Sequence, residues 1–236
     1  MSLTTLEEKR NDLYFVFQPI IKTKASQEHV VSSHEVLLRS KGFNSFPNDI
    51  FMEFIAGEET NKILLKGYSE MIHDYMQRFQ HTELSLNLHQ QQLMYDSTWR
   101  FLESFQGYAS RITIELTEFL PEMYQAEEQP IRCWMERIKQ MGFQISVDDV
   151  SSGINSMQFV VDHIDLITTI KFSLLPFQML NINTLLQFLK GWLGIADQYQ
   201  LNLVVEAVES EELANLLHKM GVHYQQGFYW GRGIAL

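Results

Sequence analysis

Carboxylate, amide and ammonium side chains recur along the chain, each near the end of a short apolar segment. Carboxylate and amide oxygens are the ligands that hard divalent ions such as Mg²⁺ and Mn²⁺ prefer in proteins. The aspartate pair at Asp148 and Asp149 is suited to holding or bridging two ions, and Lys171 adds a cation to the set. The candidates for chemistry are Glu35, Asn87, Glu115, Glu118, Asp148, Asp149, Lys171, Glu206 and Gln226.

The crowding of carboxylates limits what such a site can do. Like charges gathered in a partly desolvated place raise one another's pKa and oppose folding unless cations neutralise them. Two divalent ions about 3.5–4 Å apart are the usual apparatus for phosphodiester cleavage, because they activate water and stabilise the attacking and leaving oxygens. Phosphodiester hydrolysis is therefore the chemistry that this set favours, provided that the fold brings the residues together.

Each of these residues, taken alone, also has a purely structural explanation. A carboxylate at the end of a strand often caps the following helix or pairs with a lysine. Asp148 and Asp149 are compatible with a turn, because aspartate bonds readily to nearby backbone amides. Lys171 is compatible with a barrel-end lysine that reaches solvent, and Gln18 and Gln226 with ordinary polar end residues. The functional interpretation therefore depends on convergence of the whole set.

The segments that must position these residues alternate between β-rich runs and amphipathic helices. Helical periodicity follows residues 60–79, 183–197 and 209–220, and Gly191 and Gly194 weaken the second of these helices. Ser210 is a suitable N-cap for the third helix, and Gly221 a suitable residue just beyond its end. Eight strands are predicted over residues 13–22, 35–40, 84–89, 112–118, 144–150, 168–173, 203–208 and 224–230.

Eight strands with intervening helices form either an open doubly wound sheet or a closed barrel. An open sheet spreads its strand ends along one edge, whereas a barrel gathers all of them at one mouth. The sequence has no glycine-rich dinucleotide or Walker-type loop that would favour the open nucleotide-binding sheet. We therefore predict an α/β fold of the TIM-like (β/α)8 barrel type.

The composition is that of a folded globular protein. Of 236 residues, 45% are hydrophobic and 20% are charged, and one domain over residues 1–236 is expected. The net charge of -11 argues against a nucleic acid polymer as partner. Cys133 is the only cysteine, which excludes an intramolecular disulfide, and we expect it to be buried in a helix. Without an apolar leader or a membrane-length apolar run, the sequence predicts a cytoplasmic protein with no membrane partner.

Seven segments carry a resemblance to a known family, in the order HEVLLRS, LSLNLH, ITIELTE, ISVDDVSSG, TIKFS, VVEAVE and QGFYWG. Together they resemble the signature segments of the EAL domain family, with motifs spanning residues 14–231. The resemblance implies a single TIM-like barrel that hydrolyses cyclic di-GMP to the linear dinucleotide pGpG, using two Mg²⁺ or Mn²⁺ ions. It also implies cyclic di-GMP as the partner and suggests a homodimer, since family members often pair near the loop after the fifth strand.

The resemblance assigns roles to individual residues. The implied metal ligands are Glu35, Asn87, Glu115, Asp148 and Asp149. The implied catalytic residues are Glu206, which would orient or deprotonate the nucleophilic water, Lys171, which would hold that water or neutralise charge, and Gln226. The implied substrate contacts are Gln18, in FQPI, and Arg39, whose guanidinium fork suits a phosphate oxygen. Glu118 would anchor the loop after the fifth strand.

The chain departs from the family pattern in the loop after the predicted fifth strand. Val150 replaces an aromatic residue and Ser151 replaces a glycine, while Ser173 stands where an aspartate usually follows the lysine. The spacing from Asp149 to Lys171 is also two residues longer than the resemblance leads us to expect. Three hypotheses follow: an active cyclic di-GMP phosphodiesterase, a weakly active or inactive receptor or protein-interaction module, and a barrel enzyme acting on another phosphate ester.

Overall fold

The computed structural model describes residues 3–24, 26, 28–42, 44–117, 129–151 and 155–235. Eight strands form a closed barrel in chain order, so the predicted α/β barrel is confirmed. The strands are β1 (Leu13–Thr23), β2 (His29–Ser40), β3 (Glu83–Leu88), β4 (Ile112–Leu116), β5 (Gln144–Val147), β6 (Thr169–Ser173), β7 (Asn202–Glu206) and β8 (Tyr224–Gln226). The α-helices are α1 (Leu3–Arg10), α2 (Asn48–Phe54), α3 (Glu58–Arg78), α4 (Asp96–Ser104), α5 (Gln129–Gln140), α6 (Met157–Asp162), α7 (Ile182–Tyr199) and α8 (Glu211–Lys219).

The first strand departs from a simple alternation of strands and helices. β1 runs antiparallel to both of its neighbours, β2 and β8, whereas the other adjacent strands pair in parallel. The short connection of residues 24–28, closed by a bond from Lys24 N to Glu28 O of 2.9 Å, cannot contain the crossover that a parallel pair requires. β2 consequently begins at His29, earlier than the predicted start at Glu35.

Local signals fixed the helices largely as expected. The hydroxyl of Ser210 caps α8 by accepting a bond from Leu213 N at 3.2 Å, and Gly221 beyond its end has a φ of +97°. α7 continues through Gly191 and Gly194, because its buried side chains pack on the barrel and offset the low helical propensity of glycine.

The hydrophobic core lies between the outer faces of the strands and the surrounding helices. Cys133 is exposed, so the expectation that it is buried is wrong. It lies on α5 outside the apolar stripe of Ile131, Met135 and Ile138, whose spacing places those three side chains against the barrel. Within the described ranges, no helix combines the length and apolarity needed to cross a membrane.

Candidate active site

The carboxyl ends of the strands bring the predicted residues together at one mouth of the barrel. Lys171, on β6, is 1% exposed and lies at the centre of the cluster. Its Nζ lies 2.7 Å from Glu206 Oε1, 3.0 Å from Glu115 Oε2, 3.1 Å from Glu35 Oε2 and 3.4 Å from Asp148 Oδ1. The alternative in which Lys171 reaches solvent is therefore wrong. Four carboxylates, three of them on β2, β4 and β7 and the fourth just after β5, share one buried ammonium.

Side-chain amides hold the carboxylate of Glu35 from two sides. Asn87 Nδ2 donates to Glu35 Oε1 at 2.8 Å, and Gln226 Nε2 donates to Glu35 Oε2 at 2.6 Å. Gln226 Nε2 also lies 3.1 Å from Gln18 Oε1, while Gln18 Nε2 donates to the carbonyl of Gly231 at 3.1 Å. These bonds fix the orientation of the carboxylate, and they join β1 and β8 across the closure of the barrel.

Burial and ion pairing act on the pKa of Glu35 and Lys171 in opposite directions. Burial raises the pKa of Glu35, but the charge of Lys171 and the two amide hydrogen bonds outweigh it, so the pKa is lowered. For Lys171, burial lowers the pKa, but the surrounding carboxylates raise it well above its usual value. The lysine is therefore protonated and serves as an internal counter-ion.

The remaining carboxylates of the cluster are less well compensated by the single lysine. Burial raises the pKa of Glu115 to about 8 against the opposing effect of Lys171. Burial also raises the pKa of Asp148, and it raises that of Glu206 well above the ordinary range. More negative charge converges here than one ammonium neutralises, so additional cations would stabilise the ionised forms.

Oxygen atoms at the mouth fit a hard divalent ion. One carboxylate oxygen from each of Asp148, Asp149 and Glu206 lies within 4.8 Å of the others. Within the described part of the chain, Glu115 Oε1 and Gln226 Oε1 are buried and accept no hydrogen bond. Clustered carboxylates together with unsatisfied oxygens match the ligand preference of Mg²⁺ or Mn²⁺.

The loop after β5 combines a turn with the acidic cluster. Asp149 and Ser151 adopt left-handed φ values of +46° and +77°, which are unfavourable for residues other than glycine. Asn155 Nδ2 donates to the carbonyl of Asp148 at 2.5 Å, and Trp192 Nε1 donates to Ser151 Oγ at 2.6 Å. The aspartate pair therefore forms a turn and also belongs to the acidic cluster, so the two interpretations are compatible. The sequence analysis did not identify Asn155; its only signal was an amide suited to turns, a few residues beyond the aspartates.

Two cavities open beside the cluster. A cavity of about 520 Å³ is lined on one side by Glu35, Asn87 and Arg39, and on the other by apolar residues that include Phe46 and Phe51. The second cavity, of about 290 Å³, is lined on its polar side by Gln18, Arg39, Glu206 and Gln226. Arg39 borders both, and its guanidinium donates to the carbonyl of Leu38 at 2.9 Å.

The structure thus places ten of the eleven predicted site residues around one mouth. The exception is Glu118, which lies outside the described residues. Asp148 follows the end of β5 rather than lying within it, because the strand stops at Val147. Ser173, which stands where an acidic residue was expected, is buried at the end of β6 beside Glu206 and lines the second cavity.

Comparison with known proteins gives a consistent result. The profile of the family described as EAL domain matches residues 3–233. A relative in Escherichia coli strain K12, named probable cyclic di-GMP phosphodiesterase PdeN, is 23% identical over 244 aligned positions. The alignment covers 97% of this chain and 45% of that protein, so this chain spans less than half the length of the relative.

Solved structures share the fold at low sequence identity. A manganese and cyclic di-GMP complex of BlrP1 from Klebsiella pneumoniae superposes with a TM-score of 0.76 at 20% identity, covering 95% of this chain and 56% of that one. An EAL domain protein from Listeria monocytogenes EGD-e has a TM-score of 0.74 at 18% identity, covering 99% and 94%. At these identities the superpositions establish the fold.

Proposed function

The chain belongs to the EAL domain family, and on that premise we propose that it hydrolyses cyclic di-GMP to pGpG. The observation that carries the proposal is the junction at Lys171, where four carboxylates meet one buried ammonium. Such a concentration of carboxylates is costly for stability and is expected where it serves binding or catalysis. The phosphodiesterase name of the E. coli relative and the ligand in the BlrP1 complex support the same substrate.

The proposed metal ligands are the carboxylates of Glu35, Glu115 and Asp148 with the amide oxygen of Asn87, and Asp149 for a second ion. Bound Mg²⁺ or Mn²⁺ would supply Lewis-acid activation of water and of the phosphate. Asn87 uses its Nδ2 to hold Glu35, which leaves its amide oxygen as the atom for coordination.

The residues of the chain have distinct parts in the proposed hydrolysis. Glu206, whose Oε1 lies 2.7 Å from Lys171 Nζ and which has a carboxylate oxygen within 4.8 Å of those of Asp148 and Asp149, is placed to accept a proton from the attacking water. Lys171 carries a permanent positive charge next to Glu206 and would stabilise negative charge that develops on the phosphate. Gln226 keeps the Glu35 carboxylate oriented while its own Oε1 is available to a water molecule.

The two cavities suit the two bases of a cyclic dinucleotide, and the residue that borders both suits a phosphate. Arg39 lies between them, where its guanidinium would bind a phosphate oxygen. The apolar wall at Phe46 and Phe51 offers aromatic surface to a guanine base, and Gln18 offers an amide to a second base. A ligand with alternating bases and phosphates matches this alternation of apolar and polar walls.

A second candidate function is a cyclic di-GMP receptor with little turnover. The observation that favours it is the loop after β5, where Asp149 and Ser151 are held in left-handed conformations next to Asp148. A small displacement of Asp149 would weaken binding of the second ion while leaving Arg39 and Gln18 available for binding.

The proposal also takes the chain as one domain over residues 1–236, located in the cytoplasm and paired as a homodimer.

The test is hydrolysis of cyclic di-GMP by purified protein with Mg²⁺ or Mn²⁺, with binding measured on the same samples. We expect pGpG from the unmodified protein and none from Glu35→Ala, whereas Glu70→Ala, which removes an exposed carboxylate on α3, should keep full activity. Binding without product would support the receptor. If the protein shows no binding of cyclic di-GMP and forms no product, both functions are rejected. If it forms product from other phosphodiesters but not from cyclic di-GMP, it acts on a different substrate.

A further inference from the structure

The barrel contains a polar cavity on the side opposite the proposed active site. This cavity, which we call the lower chamber, has a volume of about 190 Å³. Its lining includes Glu115 and Lys171, several small polar side chains, and the larger side chains of Lys22, Glu83, Gln144 and Tyr224. The wall residues that matter here are Ser33, Ser85, Thr113, Thr169 and Asn202.

The lower chamber is unusual for a barrel of this type. The interior of such barrels is normally a packed core of layered, bulky branched side chains. Here Ser85, Thr113 and Thr169 occupy inward positions, and their volume does not fill the axis of the barrel. The low side-chain volume on the axis accounts for the cavity.

Strand pairing carries a continuous row of polar residues through the barrel. Asn87 pairs with Glu115, Glu115 with Ser146, Ser146 with Thr169 and Thr169 with Asn202. Paired residues project to the same side of a sheet, so this row faces the axis. It begins at the active-site mouth and ends at the amino-terminal face of the barrel.

From Glu115 onward, exposure increases along the same direction. Glu115 and Ser146 are fully buried, Thr169 is half-buried and Asn202 is exposed. Among the described residues that line the chamber, Glu115 has a buried oxygen, Oε1, with no hydrogen-bond partner. Buried polar atoms without protein partners are normally satisfied by water, and one water molecule occupies about 30 Å³ of liquid, so the chamber has room for several.

We propose that the lower chamber is a hydrated port that connects the amino-terminal face of the barrel to the underside of Glu115 and Lys171. Its ligand is water, which completes the hydrogen bonding of Glu115 Oε1. In terms of the proposed function, on which this consequence rests, a cyclic dinucleotide covering the upper mouth leaves the port open. Water then reaches the underside of the cluster by a path that the substrate does not block.

The experiment measures how fast a thiol placed in the chamber reacts with methyl methanethiosulfonate. Thr113→Cys is made in a Cys133→Ser background, since Cys133 is exposed and would react itself. The matched control is Thr98→Cys, because Thr98 is 0% exposed and its hydroxyl lies 2.9 Å from Asn61 Nδ2, away from the chamber. Mass spectrometry follows the gain of one thiomethyl group, with circular dichroism reporting on folding.

We expect Thr113→Cys to react at least about tenfold faster than Thr98→Cys, since thiol reactivity requires access to the reagent. Saturating cyclic di-GMP should leave the rate at Thr113→Cys unchanged. Equal, slow rates at the two positions would overturn the port, and so would protection of Thr113→Cys by the nucleotide. The reaction rate in the absence of nucleotide tests the port even if the protein binds no cyclic di-GMP. Failure of the port and failure of the proposed function can therefore be distinguished.

A second measurement needs no substitution in the chamber. A high-resolution crystal structure of the unmodified protein should show ordered water in the lower chamber within hydrogen-bond distance of Glu115 Oε1. A dry chamber, or one filled by a rearranged side chain, would overturn the proposal even if Thr113→Cys failed to fold.

Discussion

The mouth of the barrel has two sides that differ in chemistry and in construction. On the acidic side, Glu115, Lys171 and Glu206 lie on strands, and hydrogen-bonded pairing fixes their positions. On the apolar side, Phe46 and Phe51 lie in the connection after β2 and on α2, outside the sheet. Most groups that need accurate placement are thus carried by rigid strands, with Asp148 and Asp149 directly after the end of β5. The surface that would select a ligand is carried by elements that tolerate change.

The largest effect is expected from removing a charge on the acidic side. Asp148→Asn should lower the rate of cyclic di-GMP hydrolysis by more than about a hundredfold, since even partners of metal ligands are worth 10–100-fold. The rate constant at saturating Mn²⁺ is the measurement. Asp197→Asn, an exposed change on α7, is the control and should be silent. Unchanged turnover in Asp148→Asn would remove Asp148 from the proposed metal ligands.

Removing the ammonium of Lys171 from the acidic side should have its main effect on the stability of the fold. Lys171→Met leaves its carboxylate neighbours without a counter-ion, and breaking a buried ion pair typically costs about 3–5 kcal/mol. The melting temperature of Lys171→Met in EDTA should be lower than that of the unmodified protein. Addition of Mn²⁺ should raise the melting temperature of Lys171→Met by more than it raises that of the unmodified protein. Lys190→Met, on an exposed face of α7, should change neither value. A loss that Mn²⁺ does not recover would contradict the view that metal and Lys171 neutralise the same carboxylates.

On the apolar side, smaller effects confined to binding are expected. Phe46→Ala removes an aromatic ring that lines the 520 Å³ cavity and should weaken cyclic di-GMP binding by roughly three- to tenfold, the equivalent of about 1 kcal/mol. Calorimetric titration gives the affinity, and the rate constant at saturation should change less. Phe188→Ala, also an exposed phenylalanine but on α7, should bind normally. A lower rate constant with unchanged affinity would contradict this, because it would mean that Phe46 contributes to the hydrolysis step and not to binding.

The smallest effect concerns backbone conformation next to Glu206. Ala207 has a φ of +59°, which glycine adopts without steric cost, so Ala207→Gly should stabilise the protein by about 1 kcal/mol or less. For a chain of this length, that corresponds to a rise in melting temperature of about 2–4 °C. Ala196→Gly, at a buried position in the last turn of α7, should have the opposite sign. A fall in stability for Ala207→Gly would mean that the methyl group makes a contact worth more than the strain.

Sequence reasoning succeeded where local patterns and strand ends carry the information. The presence of each strand is predictable from apolar periodicity, although β4, β5, β7 and β8 end two to four residues before their predicted limits. The barrel then brings Glu35, Glu115 and Lys171 together whatever the lengths of the connections. The longer spacing between Asp149 and Lys171 did not matter for this reason. The placement of Lys171 follows from its inward position on β6, which is a property of register rather than of motif spacing.

Other features depend on contacts that no local pattern specifies. The reversal of β1 follows from a short hairpin connection, and the exposure of Cys133 follows from which face of α5 meets the barrel. Asn155 acts through the backbone of Asp148, so its role is visible only when the loop conformation is known. The lower chamber arises from small side chains on several strands, and their joint effect requires the closed barrel.

Closure between the first and last strands also has a consequence for the time at which the barrel becomes complete. Gln226 bonds to Gln18 across 208 positions of sequence, and Phe17 exchanges backbone bonds of 2.8 and 3.1 Å with Ile234. Contacts between such distant segments form late and slow the folding of a chain. During synthesis, β1 therefore waits with one edge unpaired until the final strand leaves the ribosome. A nascent chain stalled before residue 224 would expose that edge to aggregation, which makes the closing segment a control point for folding yield.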